Sequence, residues 1–217
     1  MTIPVFPLNT VLFPGAPMSL RIFEDRYLRM LADRAASEPL FVVSLIQSGR
    51  EVGDEPRFHR IGTTARLATL NALSANLVDI VVVGQHRVAL GTSDWTRGYA
   101  TAEGTPIPDD AFDRKEARTL LRSAASAYNS YGESVARLLG QRFEQPGLAV
   151  DPARASFDIA ARLPLHTWEQ QELLEERNPL VRLASITTII ERERALMIRG
   201  GVVGIPVQYP GERFLSN

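Results

Sequence analysis

Residues 3–31 read IPVFPLNTVLFPGAPMSLRIFEDRYLRML, an apolar run that four prolines interrupt before a helical pattern begins. Because proline has no backbone N–H to donate, we expect the first half of this stretch to form an extended ribbon that cannot pair with a sheet along its whole length. Two interpretations of its apolar side chains stay open. They form core and turns, as apolar residues usually do, or Leu12, Phe13, Pro14 and Met18 are partly exposed beside a groove and bind unfolded peptides. Methionine suits the second role because its flexible side chain adapts to many partners.

The composition is that of an ordinary globular protein and excludes several kinds of chemistry. Of the 217 residues, 45% are hydrophobic and 23% are charged. The 24 basic and 25 acidic residues give a net charge of −1, without the basic excess that non-specific nucleic-acid binding needs. There is no cysteine, so disulfides, zinc–thiolate sites and a cysteine nucleophile are excluded. No secretory signal and no long apolar run occurs, so we expect a cytoplasmic protein with no membrane partner.

Lys115 is the single lysine of the chain, and its surroundings argue against ATP chemistry. A phosphate-binding loop needs a lysine beside glycine and serine or threonine, and Lys115 has no glycine nearby. Pairing with Asp113 or Glu116 keeps a lysine protonated, unlike the general base of a Ser–Lys hydrolase. We therefore expect neither ATPase nor Ser–Lys hydrolase activity.

The histidines and serines do not form a recognisable catalytic or metal-binding pattern. His59, His86 and His166 are far apart in sequence and in no H-x-x-x-H arrangement. No serine lies in a G-x-S-x-G turn. The sequence therefore predicts no catalytic residue, no cofactor and no metal ion.

The first half of the chain is predicted to be rich in β-structure. Residues 39–47, 61–73, 76–90 and 97–107 are rich in β-branched residues or alternate in polarity, which is typical of strands. Gly84 lies inside the third of these stretches, where a glycine suggests a bulge or bend of the kind that curls a sheet toward a barrel.

One helix is predicted within this half. Phe23, Tyr27 and Met30 recur at helical spacing. Glu24, Arg26 and Tyr27 could form a binding or catalytic cluster, but an ion pair beside an aromatic ring at the start of a helix is the more common arrangement.

From about residue 113 the apolar residues recur at helical spacing up to the end of the fourth predicted helix. Predicted helices start at Asp113, at Asp151–Pro152, at Thr167 and after Asn178–Pro179, and glycines 200 and 201 end the last one. Seven residues are expected on the inner face of the first helix: Leu121, Ala124, Tyr128, Tyr131, Val135, Leu138 and Leu139. Trp95 in a turn and Trp168 at a helix start are expected to be packing residues. The predicted organisation is α+β, with a β-rich part (1–110), a helical part (111–200) and a C-terminal tail (201–217) that docks on the rest.

Several separate motifs resemble the Lon protease N-terminal domain. The run PLNTVLFPG (7–15) followed by IFEDRY (22–27) is similar to the opening P-L-x-x-x-V-L-F-P-G and I-F-E-x-R-Y pattern of that family. Residues 61–67 and 81–90 resemble its G-T-x-A and G-x-x-R strands, with His86 where arginine is more usual. The segment from Leu163 to Leu183 is similar to its L-P-L, Q-x-L-L-E and R-L motifs. The resemblance covers about residues 3–198.

The resemblance implies a PUA-like pseudo-barrel followed by a bundle of helices, and a role in recognising proteins that are unfolded or destined for degradation. It implies a module without the ATPase and peptidase domains of the full-length protease, with a protease as a second partner. An RNA-binding PUA-like protein is the alternative, since Arg57, His59, Arg60 and Arg66 cluster in sequence and could contact phosphates. An unrecognised enzyme would need a deep pocket with convergent polar groups.

Overall fold

The computed structural model describes residues 2–34, 40–53, 55–74 and 76–198. The elements within these residues are β1 (Thr2–Leu8), β2 (Pro17–Ile22), α1 (Asp25–Arg34), β3 (Phe41–Ser48), β4 (Arg57–Phe58), β5 (Ile61–Ser74), β6 (Leu77–Leu90), β7 (Thr101–Pro106), α2 (Arg114–Leu138), α3 (Pro152–Ala160), α4 (Thr167–Glu175) and α5 (Pro179–Ile198). They fall into two compact units, here called the barrel unit (2–108) and the helical unit (109–198). The barrel unit holds the strands and α1, and the helical unit holds α2 to α5. The predicted α+β class is confirmed.

Five strands of the barrel unit close on themselves. The strand order is β1-β7-β6-β5-β3, and β3 pairs in parallel with β1 to complete the circuit. Strand β4 extends the sheet beyond β3, and β2 pairs with β6 outside the circuit. The predicted pseudo-barrel is therefore confirmed.

The first two prolines lie inside β1 and take part in the barrel. Residues 2–4 pair with β7, whereas residues 5–8 pair with β3. The strand thus changes its partner just after Pro4, and Pro7 lies in the second segment. A stretch that lacks two N–H donors is accommodated because neither partner strand follows it along its whole length.

Gly84 produces the predicted irregularity in β6. The pairing passes from Thr63–Arg87 to Ala65–Gly84, so β6 contributes one more residue than β5 over this interval. The backbone of residues 9–16 crosses β6 here, and the N–H of Gly15 donates to the Gly84 carbonyl at 2.7 Å. A Cβ atom at Gly84 would overlap the carbonyl oxygen of Phe13. Only glycine allows this close approach.

The first two helices of the helical unit begin where local capping chemistry predicts. Asp113 caps α2, since its carboxylate accepts the backbone N–H groups of Lys115 and Glu116. Asp151 caps α3 and is followed by a proline at the first helical position.

The start of α4 differs from the prediction by one residue, and the start of α5 is as predicted. The cap of α4 is His166 rather than Thr167, because the His166 N–H donates to Glu169 at 2.9 Å. At the start of α5 the Asn178 side chain accepts the N–H of Leu180 at 2.9 Å. The predicted glycine stop at 200–201 and the tail at 201–217 lie outside the described residues.

The core of the helical unit is formed chiefly by α2 and α5. Its buried side chains include Ala124, Tyr128, Tyr131, Val135, Leu183, Ile186 and Ile190. The prediction that Leu138 and Leu139 share this inner face is wrong, since they are 64% and 52% exposed. They lie at the end of α2, just before Gly140 turns the chain with a φ of 65°. No helix within the described residues combines the length and the apolar character needed to cross a bilayer.

Candidate functional site

The structure buries most of the ribbon that the sequence offered as a peptide-binding surface. Leu12 and Phe13 are 1% and 2% exposed, and Pro14 is also buried. Their expected exposure is wrong, because the ribbon runs against β6 at Gly84, where the missing Cβ leaves room for its backbone and for Leu12. Met18 alone of the four predicted residues is partly exposed. A peptide-binding role for the four residues stays a prediction.

Met18 belongs to a three-stranded part of the sheet outside the closed circuit. Here β6 is the central strand, with β2 on one side and the second half of β5 on the other. Met18 lies opposite Val82, which lies opposite Leu67 on β5. The next row consists of Leu20, Ile80 and Leu70, and the row after it of Ile22, Val78 and Ala72.

These nine residues form one apolar face. Residues directly opposite each other in a sheet project to the same side, and residues two apart along β2 and along β6 do so as well. On β5, a register shift between Leu67 and Thr69 accounts for the extra residue between Leu67 and Leu70. All nine side chains are apolar. We call this face the hairpin surface, and we include with it the exposed Leu73, which lies at a register shift between Ala72 and Ser74 at the end of the same strand.

The hairpin surface changes from buried to exposed across the sheet. Ile80 and Val82 on the central strand are 1% and 0% exposed. Leu70 and Leu73 on the outer strand are 54% and 48% exposed. The outer strand therefore presents two leucines to solvent beside an apolar interior.

The opposite face of the same strands is mixed, with Val81 and Val83 on the central strand and an ion pair beside them. Arg21 on β2 donates two hydrogen bonds to the carboxylate of Asp79 on β6, at 2.8 and 2.9 Å. These hydrogen bonds lower the pKa of Asp79. The two faces differ in chemistry, since the nine paired positions of the hairpin surface are all apolar whereas the opposite face combines valines with polar and charged residues.

Within the described residues, the second half of β5 also has a free edge. Strand β3 pairs with β5 only at residues 63–65, and residues 66–74 pair with β6 alone among the described strands. A strand edge of this kind can accept an additional extended segment through backbone hydrogen bonds. The free edge and the exposed leucines lie on the same strand.

The Glu24, Arg26 and Tyr27 cluster is structural, as the sequence interpretation favoured. Arg26 forms an ion pair with Glu24 at 3.0 Å, and its guanidinium carbon lies 4.6 Å from the centre of the Tyr27 ring. Arg26 also donates to the backbone carbonyl of Glu51 at 3.1 Å, while Glu24 accepts the N–H of Gly53 at 3.1 Å. The cluster thus holds the loop after β3 against the start of α1.

The described residues contain no group of three or more potential metal ligands. Of the residues considered for RNA contact, Arg57 and Arg60 are exposed, whereas His59 and Arg66 are half-buried. Arg66 lies opposite Val83, on the face of the hairpin that also carries the Arg21–Asp79 ion pair.

The two tryptophans differ. Trp95 packs against the buried cluster that includes Val5, Val42 and Val88, as expected. Trp168 is 57% exposed, so its predicted packing role is wrong. It lies at the first turn of α4, where its ring stacks on that of His166, with ring centres 6.3 Å apart.

Solved structures with the same arrangement are Lon N-terminal domains. The structure resembles the crystal structure of a Lon N-terminal domain protein from Xanthomonas campestris, with a TM-score of 0.59 and 25% identity over 87% of this chain and 98% of that one. It also resembles the N-terminal domain of Mycobacterium avium complex Lon protease, with a TM-score of 0.65 and 16% identity over 88% and 98% of the two chains. The second likeness concerns the fold alone.

Sequence comparison gives the family. Residues 2–192 match the ATP-dependent protease La (LON) substrate-binding domain, and the chain belongs to this family. It is 29% identical to Lon protease 4 of Sorangium cellulosum over 198 residues, and 25% identical to Lon protease of Escherichia coli K12 over 199 residues. These matches cover 89% and 90% of this chain. They span about a quarter of the length of each relative, 24% and 25%.

Proposed function

We propose that this chain is a non-catalytic, cytoplasmic recognition module that binds unfolded or partly folded segments of other proteins through the hairpin surface. Membership of a substrate-binding family supports a recognition role. We choose this surface because two exposed leucines, Leu70 and Leu73, lie on the same strand, β5, as a free strand edge. Delivery of the bound segment to a protease completes the proposed role.

The two features suit a client that has no fixed structure. A free edge offers backbone hydrogen bonds, which do not depend on the client's sequence. The leucines and Met18 offer apolar contact, which any large apolar side chain can satisfy. Folded proteins bury their apolar side chains and pair their backbone N–H and C=O groups. The hairpin surface therefore distinguishes unfolded from folded segments and does not read a particular sequence.

The expected affinity is low. Burying one large apolar side chain contributes roughly 1.5–3 kcal/mol, and the ordering of a flexible segment offsets much of the gain from several of them. Binding in the micromolar range or weaker follows from the usual relation between free energy and Kd, which is about 8 kcal/mol at 1 μM. Because the contact is mainly apolar, it should depend only mildly on salt.

Reduced and carboxymethylated α-lactalbumin is a suitable client, because its disulfides cannot re-form. Its binding is measured by fluorescence anisotropy at low and high salt. The double variant Leu70→Asp, Leu73→Asp should weaken binding at least about tenfold, since each change removes an apolar contact of the size given above.

Leu138→Asp is the matched control, because Leu138 is 64% exposed and lies on α2 in the other unit. It should leave the affinity unchanged. Both variants should melt within about 2 °C of the parent, because substitution of exposed side chains changes stability little. An equal loss in the control, or binding that collapses with salt, would show that the hairpin surface is not the site.

A further inference from the structure

The free edge of β5 contains a short stretch of regular strand. Pairing with β6 is uninterrupted over residues 69–72, which we call the edge window. Register shifts bound this window on both sides, one after Leu67 and one before Ser74. A shift of this kind bends a strand and interrupts its ladder of backbone groups. A strand that is added to this edge therefore follows β5 regularly over about four residues.

The edge window lacks two of the features that usually prevent pairing at an exposed edge. Natural edge strands often carry proline or charged residues, especially lysine. Residues 67–74 contain neither a charged residue nor a proline, and all of residues 69–72 are exposed. The register shifts at the two ends thus limit the length of an added strand, while the sequence between them does not oppose a short one.

The backbone of the edge window points outward at every second residue. In an antiparallel pair, the N–H and C=O groups of one residue point toward the partner strand, and those of the next residue point away from it. Either Thr69 and Asn71 or Leu70 and Ala72 therefore direct these groups away from β6. No described strand pairs with the window on that side. Each outward residue offers one donor and one acceptor to an extended segment, whichever direction the segment runs.

The side chains of the edge window differ in chemistry with the same period of two residues. Leu70 and Ala72 belong to the hairpin surface, whereas Thr69 and Asn71 project to the opposite face. On an added strand, the side chains beside the first pair meet apolar groups, and those beside the second pair meet a hydroxyl and an amide. A segment that fits both faces therefore alternates apolar and polar residues.

We propose that clients bind the edge window as an added β-strand, and that the bound segment has about four or five residues with alternating apolar and polar side chains. This inference rests on the proposed function and adds the backbone pairing and the period that a client needs. Segments with this period form half-buried strands in folded proteins, so unfolding exposes them. The hairpin surface thus reads the spacing of apolar residues and not their identity.

Two peptides of identical composition test the period. In the alternating peptide, acetyl-SLTVTLS-amide, the three apolar residues share one face of a strand. In the rearranged peptide, acetyl-SLLTTVS-amide, one of them turns to the other face. Binding is measured from the chemical shifts of the ¹⁵N-labelled full chain. The alternating peptide should bind at least about threefold more tightly, because it places one more apolar side chain against the hairpin surface.

Amide hydrogen exchange of the full chain tests the backbone pairing. In the free protein, the two amides of the edge window that point away from β6 should exchange fast and the other two slowly. The alternating peptide, at ten times its Kd, should slow the fast pair about tenfold. The matched control is the same peptide with methyl groups on the nitrogens of its valine and the following threonine. Successive N–H groups point to opposite edges of a strand, so this peptide is blocked at both edges and should give no protection.

Failure of this inference differs from failure of the proposed function. The inference alone is overturned if α-lactalbumin binding depends on Leu70 and Leu73 while the two peptides bind equally and protect no amide, since clients then make apolar contact without strand pairing. If α-lactalbumin does not bind, the proposed function fails and this inference fails with it. Self-association that the double variant Leu70→Asp, Leu73→Asp abolishes, measured by sedimentation, would show that the edge window pairs with a second copy of this chain instead of a client.

Discussion

The guanidinium of Arg182 on α5 and the carboxylate of Asp109, whose side chain is 25% exposed, form an ion pair between residues 73 positions apart, with N–O distances of 3.1 and 3.5 Å. Arg182 is 0% exposed. It also donates to Ser156 at 2.7 Å and to the carbonyl of Ala153 at 3.0 Å, and it lies 3.9 Å from the centre of the Phe157 ring. Burial lowers the pKa of Arg182, and Asp109 opposes that shift. This pair fixes the first residue of the helical unit to its core.

Removal of Arg182 should strongly destabilise the helical unit. Arg182→Ala removes the hydrogen bonds to Ser156 and to the carbonyl of Ala153 as well as the charge opposite Asp109, and a buried acceptor left unsatisfied typically costs about 1–3 kcal/mol. Urea denaturation, followed by the fluorescence of Trp168, measures the loss. Arg177→Ala is the control, because the neighbouring Asp110–Arg177 pair is about half-exposed on both sides and should contribute about 1 kcal/mol or less. Similar losses in both variants would contradict the special role of the Arg182–Asp109 pair.

The features that sequence predicts well are local, and Asp113 illustrates them. An aspartate three residues before a glutamate marks a helix start, whatever the rest of the chain does. The same holds for the strands, whose β-branched residues favour extended backbone.

The features that sequence missed depend on distant residues. The burial of Phe13 follows from the absence of a side chain at Gly84, a contact that no pattern within residues 3–31 can reveal. The burial of Arg182 could not be predicted either. Arginine is rarely buried unless it is paired, and its partner, Asp109, is distant in sequence. Trp168 was predicted to pack because tryptophans usually do, but it lies in the first turn of α4 and is 57% exposed.

Gly84→Ala should destabilise the barrel unit. The new methyl group would overlap the carbonyl oxygen of Phe13, so the crossing ribbon or β6 has to move. Such overpacking typically costs about 1–3 kcal/mol. Gly91→Ala is the matched control, because a Cβ atom there meets its nearest neighbours in Glu103 at an ordinary 3.6 Å. Chemical denaturation monitored by Trp95 fluorescence in a Trp168→Phe background checks both, and equal stability of the two variants would show that the ribbon can shift freely.

Tyr27 should make the barrel unit sensitive to alkali. Tyr27 is 2% exposed, and burial raises its pKa to about 12. The folded-state pKa lies above the unfolded value of about 10, so the contribution to stability is complete below pH 10 and is lost as the pH rises to about 12. The loss attributable to this group is about 2–3 kcal/mol. The chain has one lysine and no cysteine, so the other side chains that titrate in this window are chiefly the four remaining tyrosines.

The measurement compares the free energy of unfolding at pH 9 and pH 12, with Trp95 reporting on the barrel unit. Tyr27→Phe should reduce the alkaline loss in that unit. Tyr131→Phe is the control, because Tyr131 has a pKa raised to about 12 for the same reason but lies in the helical unit. An unchanged pH dependence in Tyr27→Phe would show that its ionisation does not limit the stability of the barrel.

Phe13 and Phe23 provide a direct test of the opening stretch, because one is 2% exposed and the other 52%. Phe13→Asp removes a buried ring, which typically costs about 3–5 kcal/mol, and adds a carboxylate to an apolar site. The sum is comparable to the total stability of a typical domain, about 5–15 kcal/mol, so we expect the barrel unit to unfold. Phe23→Asp should change the melting temperature by about 2 °C at most, since exposed substitutions change stability little. Circular dichroism and calorimetric melting of the two variants check this contrast. If the Phe13→Asp protein melts like its parent and loses only client binding, the ribbon is a binding surface and not part of the core.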